Sequence, residues 1–194
     1  DLMNIQTIEV MGDILKNGFE EGNWYLFLDP NNQKGLLGKF EDDAYEYVRE
    51  LSDHSVKFKQ NCRNTPQIIV QTQLMTGADI GVSMFDGQGE KVIIRKYSNY
   101  LEGANLFDKQ IKFWQNEGVD LRDITILYVA DISDTFIAVL KGTIATKIYP
   151  LSSKTVNLRP INKLATCNIL DFKGLESKYI MVVGLENLNE DPGY

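Results

Sequence analysis

Apolar side chains at Ile5, Ile8, Met11 and Leu15 recur at three- and four-residue steps, which makes one face of a helix ending near Gly18. Positions 24–28, Trp-Tyr-Leu-Phe-Leu, form a continuous apolar run that stops at Asp29-Pro30-Asn31-Asn32. A short run apolar on both faces predicts a buried strand of a parallel sheet. Positions 41–51 predict an acidic amphipathic helix with Ala44, Tyr47, Val48 and Leu51 inward, and 55–58 alternate like a strand. Thr65-Pro66 predicts a helix start, with Thr65 as cap, Pro66 at the first helical position, and Ile68, Ile69 and Leu74 carrying the helix to Gly77. Further on, 91–97 read as a strand, 106–117 as a helix and 124–130 as a second buried strand. A helix over 133–140 closed by Gly142, and strands at 166–169 and 179–183, complete the pattern.

Strands alternate with helices from end to end, which predicts an α/β fold with a mostly parallel sheet. The best candidate boundary is 31–40, polar and without a clear period; a second loose stretch, 77–89, holds four glycines. The chain has 194 residues, 43% of them hydrophobic, enough for a core without disulfide staples. Its 27 acidic residues against 20 basic ones make it a poor binder of nucleic acid by bulk electrostatics, so such contact needs a local basic patch or a partner domain. Cys62 and Cys167 lie in no C-x-x-C pair and read as two reduced, buried thiols of a cytoplasmic protein, with no metal site. No apolar run approaches the roughly 18 residues that span a bilayer. The chain opens without Met, directly on a helix and without a signal peptide, so a piece of a longer protein is expected.

Self-contained hydrolytic chemistry lacks its parts. The chain holds no G-x-x-x-x-G-K-[ST], no G-x-S-x-G and no H-E-x-x-H, and its single histidine, His54, reads as a solvated loop residue. Three short segments carry the remaining chemistry. Asp29-Pro30-Asn31-Asn32-Gln33 comes directly after the first apolar run, where a carboxylate and an amide either form a turn or orient a water or phosphate. Asn61-Cys62-Arg63-Asn64-Thr65-Pro66 puts an arginine just ahead of a helix start, where its planar fork suits a phosphate or pairs with a surface acid. Phe172-Lys173-Gly174-Leu175-Glu176 joins two strands, as a tight connection or as a place where backbone and carboxylate meet a ligand.

In order, these segments resemble the later motifs of superfamily 1 helicases of the UvrD-like type. The run ending in Asp29-Pro30-Asn31-Asn32-Gln33 is similar to the third motif, Asn61-Cys62-Arg63-Asn64-Thr65 to the fourth, and Lys173-Gly174-Leu175-Glu176 before an apolar strand to the fifth. The resemblance implies a RecA-like, P-loop NTPase-type parallel sheet flanked by helices. Residues 1–38 would be the end of the first motor lobe, and 39–194 the second lobe, truncated before the last motif. It implies that Gln33 senses the γ-phosphate of ATP, with Asp29 also at the nucleotide, and that Arg63 acts as an arginine finger. Gly174 and Glu176 would hold the sugar side of ATP, and Lys173 and Asn168 would lie where the nucleotide is coupled to DNA.

The implied parent couples ATP hydrolysis to translocation on single-stranded or partially duplex DNA. ATP and Mg²⁺ would be bound mainly by an N-terminal motor lobe, leaving this piece inactive as an ATPase on its own. The departures are specific. Lys34-Gly35-Leu36 stands where the family often has a base-stacking aromatic, Asn168-Ile169-Leu170 replaces the T-x-H before the fifth motif, and Cys62 replaces an aromatic. They motivate a second expectation, a degenerate helicase-like domain serving as a binding or regulatory module.

Overall fold

A computed structural model describes residues 3–28, 40–87, 89–129, 131–152, 154–155, 158, 160 and 162–187. The chain divides into two compact units, Asp1–Ile93 and Ile94–Tyr194. The boundary expected at 31–40 and the segment Asp29 to Gln33 lie, but for Phe40, outside the described residues.

The first unit opens with helix α1 (Ile5–Ile14), whose cap Asn4 accepts the Thr7 N–H at 2.9 Å. A four-residue helix α2 (Gly18–Glu21) comes next, and then α3 (Asp42–Glu50). Glu41, just ahead of α3, ties the two longer helices together. Its carboxylate accepts the Ile5 N–H at 2.9 Å, an orphan donor of the α1 start, and its own N–H donates to the Met3 carbonyl at 2.8 Å. Met3, Ile8, Ala44 and Val48 form the core here, with Met11, Phe19, Trp24 and Leu26 packed around them. Tyr47, expected inward, is half exposed.

The rest of this unit is a small β-α-β element. Strand β1 (Gln60–Asn61) pairs in parallel with β2 (Val82–Ser83), and helix α4 (Pro66–Thr76) is the crossover. Pro66 starts α4 and Gly77 ends it in the left-handed conformation at φ +69°, both as the sequence predicts. Thr65 occupies the cap position, but its side chain caps nothing. The Thr65 Oγ1 is buried without a partner beneath Gly89, where a Cβ would stand 2.5 Å from the Thr65 Cβ. Ile69 alone of the expected inward residues of α4 is buried, while Leu74 is exposed.

Three expected strands are not strands. Residues 24–28, 55–58 and 91–97 pair with no other strand among the described residues. Trp24 and Leu26 turn inward, whereas Tyr25 and Phe27 are 91% and 77% exposed, so the run is buried on one side only. An apolar run supplies side chains for a sheet, but a strand also needs a neighbour for its N–H and C=O groups.

The second unit is built on a four-stranded sheet, entirely parallel, in the order β4-β5-β3-β6. Its strands are β3 (Ile124–Tyr128), β4 (Ile148–Pro150), β5 (Leu164–Asn168) and β6 (Tyr179–Val183). At the centre Ile126 stands opposite Thr166 on β5 and Met181 on β6. Alternate residues serve the two faces. Ile124, Ile126, Leu164 and Val183 pack with Phe107, Ile111, Phe136 and Ile137 in one cluster, while Leu127, Ala165 and Cys167 pack under Leu151 and Phe172 in another. The fold is therefore mixed α/β, with parallel sheets flanked by helices.

Helix α5 (Tyr100–Asn116) covers the first face with Gly103, Ala104, Phe107 and Ile111. It begins six residues before the expected start at 106, because Asn99 caps it, accepting the Glu102 N–H at 3.0 Å. The Glu102 carboxylate in turn accepts the Ser98 N–H at 2.8 Å. The helix expected over 133–140 is instead two 3-10 turns, Ile132–Asp134 and Phe136–Val139. The buried Thr135 hydroxyl interrupts it, donating to the Ile132 carbonyl at 2.8 Å and accepting the Ile137 N–H at 3.2 Å. Cys167 is buried as expected, whereas Cys62 is exposed.

Candidate functional site

In open parallel sheets, ligands gather beyond the carboxyl ends of the strands. At that edge of the second unit, Asn168 ends β5 and organises the loop after it. Its Oδ1 accepts the Leu170 N–H at 2.9 Å, and the next backbone N–H, of Ile169, donates to the Tyr128 carbonyl of β3 at 2.9 Å. The chain then coils through successive turns, with the Asp171 N–H on the Asn168 carbonyl at 3.1 Å and the Leu175 N–H on the Phe172 carbonyl at 2.9 Å. Phe172 is the buried anchor of this loop, and Lys173 and Glu176 are exposed on it. Gly174 takes φ +82°, a conformation that glycine reaches without strain, and no atom crowds the place of its missing Cβ within 4 Å. Ser177 fastens the loop's return, donating to the Asp123 carbonyl at 2.9 Å and accepting the Thr125 hydroxyl at 3.0 Å.

Ser177 thus marks the opposite, amino edge of the sheet, where β3 and β6 begin; beyond the carboxyl ends of those strands lie two acids. Asp131 lies just past β3 and accepts the Ser133 N–H at 2.8 Å and the Ser133 hydroxyl at 2.7 Å. These hydrogen bonds hold its carboxyl below the usual carboxylate range. Glu186 lies just past β6 and accepts a hydrogen bond from the Tyr97 hydroxyl. Burial, reinforced by that bond, pushes the Tyr97 phenol well above its ordinary value. Tyr128, at the end of β3, is also raised, by burial first and then by the neighbouring Cys167, Asp171 and Asp131.

In the first unit Arg63 sits in the loop between β1 and α4. The Asn61 side chain shapes that loop, accepting the Arg63 N–H at 3.1 Å and the Asn64 N–H at 3.0 Å while donating to the Ile80 carbonyl at 3.1 Å. The Ser83 hydroxyl of β2 donates to the Asn64 carbonyl at 2.8 Å. The backbone under Arg63 is thus pinned from both strands, while its side chain is exposed. Among the described residues no carboxylate lies within ion-pair distance of it.

Of the residues expected at the site, Asn168, Lys173, Gly174 and Glu176 lie on one strand-to-strand connection, and Arg63 lies on a loop of the other unit. Asp29 and Gln33 fall outside the described residues. Sequence pattern alone misses Asp131, Ser177 and the Tyr97–Glu186 pair. Asp131 comes directly after the 124–130 run, and that place beyond a strand is its only signal; Tyr97 and Glu186 are 89 residues apart and give none. Among the described residues no three His, Cys, Asp or Glu side chains come together to hold a metal ion, and no helix is long and apolar enough to cross a membrane. No family model, no curated protein and no solved structure matches the chain.

Proposed function

We propose that this chain carries the second RecA-like lobe, with the end of the first, of an ATP-driven DNA helicase of the UvrD-like type. The observation that carries the reading is Lys173-Gly174-Leu175-Glu176 on a connection between two parallel strands, β5 and β6, with Gly174 in the positive-φ conformation. Arg63 adds to it, as an exposed guanidinium on a pinned loop directly ahead of α4.

These residues fit a nucleotide chemically. Arg63 offers a fork that suits a phosphate and is not neutralised by a described carboxylate. Glu176 offers an acceptor for a sugar hydroxyl, and Gly174 lets the backbone approach without a side chain in the way. ATP, when bound with Mg²⁺, supplies the phosphoryl group whose transfer drives the motor. Within this chain, Gln33 and Asp29 would meet its phosphates, Arg63 would stabilise charge on the transferring group, and Gly174 and Glu176 would hold the sugar. Lys173 and Asn168 would link that loop to single-stranded or partially duplex DNA. The phosphate-binding loop and the Mg²⁺ ligands would belong to an N-terminal motor lobe, and the working place is the cytoplasm.

One observation favours the alternative, a helicase-like domain that binds or regulates without turnover. Asn168 spends its side-chain oxygen on the Leu170 N–H inside its own loop. The Arg63→Ala variant, made in the protein that includes the Walker loop, separates the two readings. A finger arginine lowers ATP turnover by about 10³-fold or more when removed; unchanged turnover rejects the motor and leaves the binding module.

A further inference from the structure

A different feature lies in the first unit, where α1, α2 and Tyr47 of α3 line an open groove of about 460 Å³. Ile5, Phe19 and Tyr47 give it an apolar wall, and the exposed carboxylates of Glu9, Asp13 and Glu20 give it an acidic rim. Among the described residues no Lys or Arg lines it. The wall is held in place. The Phe19 ring meets Trp24 edge-on with centroids 5.3 Å apart, and the Trp24 indole N–H donates to the Phe19 carbonyl at 2.9 Å. Gly12 lies against the same ring, since a Cβ there would stand 3.4 Å from the Phe19 Cδ2. Ile5 and Tyr47 keep 38% and 46% of their surface exposed, which leaves the wall open to an incoming group.

The charge distribution says what kind of group that is. Residues 1–93 hold 15 acidic against 8 basic side chains, and residues 94–194 hold 12 of each. The whole net charge of -7 therefore belongs to the unit that contains the groove. Such a field attracts cations and repels nucleic acid. The volume admits a few side chains, the low end of the roughly 300–1,000 Å³ typical of ligand sites.

We propose that this groove docks a cationic amphipathic peptide segment of a partner protein. An apolar side chain of the partner lies against Phe19 and Tyr47, and neighbouring Lys or Arg residues meet Glu9, Asp13 and Glu20. The inference stands apart from the helicase reading and survives its failure.

The test uses the whole chain and a fluorescein-labelled helical peptide of Leu and Lys in amphipathic register, monitored by anisotropy. Replacing Glu9→Lys with Asp13→Lys is expected to weaken binding about tenfold or more, the scale of losing close charge pairs. Tyr47→Ser weakens it several-fold and Tyr47→Phe restores it, whereas Asp86→Lys with Glu90→Lys, equal in charge but beyond β2 and not among the residues lining the groove, leaves it within about twofold. An equal loss from that outside pair overturns the proposal, because bulk charge then explains the binding. Indifference to Tyr47→Ser overturns it as well. Displacement of the peptide by an oligothymidylate, or self-association that the Glu9 and Asp13 reversals abolish, shows a different occupant and rejects it too.

Discussion

Gly174 and Gly103 lack a side chain for different physical reasons. Gly174 needs its φ of +82° and has empty space where a Cβ would go. Gly103 sits in helix α5, and a Cβ there would stand 2.8 Å from the Phe136 Cδ1. Gly174→Ala should therefore cost about 1–2 kcal/mol from left-handed backbone strain alone, and leave the aromatic packing untouched. Gly103→Ala should cost about 1–3 kcal/mol by overpacking, and it should disturb the Tyr97–Phe136 edge contact, whose centroids are 5.4 Å apart. Urea midpoints measure both costs, and near-ultraviolet circular dichroism should change for Gly103→Ala only. A neutral Gly174→Ala would remove the backbone argument for glycine in the K-G-L-E loop. The sequence makes Gly77 legible because its reason, a helix end, is local. The reason for Gly103 is a ring 33 residues away, and pattern alone does not carry it.

At the scale of elements, the same divide separates the strands that the pattern marks from the runs that only look like strands. Ile124–Tyr128 and Tyr179–Val183 are apolar runs with partners on both sides or packed against the core, and the sequence marks them closely. Residues 24–28 and 91–97 show a comparable apolar pattern, yet pair with no strand among the described residues. In these two runs the apolar pattern secures neither a neighbouring backbone nor full burial, since Tyr25, Phe27, Ile93 and Ile94 are exposed. Thr135 explains the broken 133–140 helix in the same terms, since a buried hydroxyl binds the backbone that a helix would use. Thr166 on β5 offers the converse test. It is 2% exposed, and its Oγ1 has no hydrogen-bond partner. Thr166→Val keeps the shape and removes the unsatisfied hydroxyl, so unfolding free energy should rise by up to about 1–2 kcal/mol. A loss of stability on urea unfolding would mean that the hydroxyl does find a partner.

The whole molecule is legible as an α/β chain with parallel pairing, because alternating helices and apolar strands can bury their faces in few other ways. The division at Ile93/Ile94 is not, since it runs through 91–97, a stretch whose pattern resembles one strand and contains no linker-like composition. The expected functional residues stand on both sides of that division: Arg63 in the first unit, and Asn168, Lys173, Gly174 and Glu176 in the second. The charge is divided as unevenly. With 15 acidic and 8 basic residues the first unit repels itself, while the second, with 12 of each, does not. Raising salt from about 0.01 M to about 1 M shortens the screening length from roughly 30 Å to roughly 3 Å. Hydrogen-exchange protection of α3 amides should rise over that range relative to α5 amides. The α5 amides absorb any general effect of salt on burial, so the ratio reads charge alone. The Glu9→Lys and Asp13→Lys reversals, each of which turns a negative charge of that imbalance into a positive one, should flatten the ratio. Equal gains in α3 and α5 would mean that the excess acid of the first unit does not weaken it.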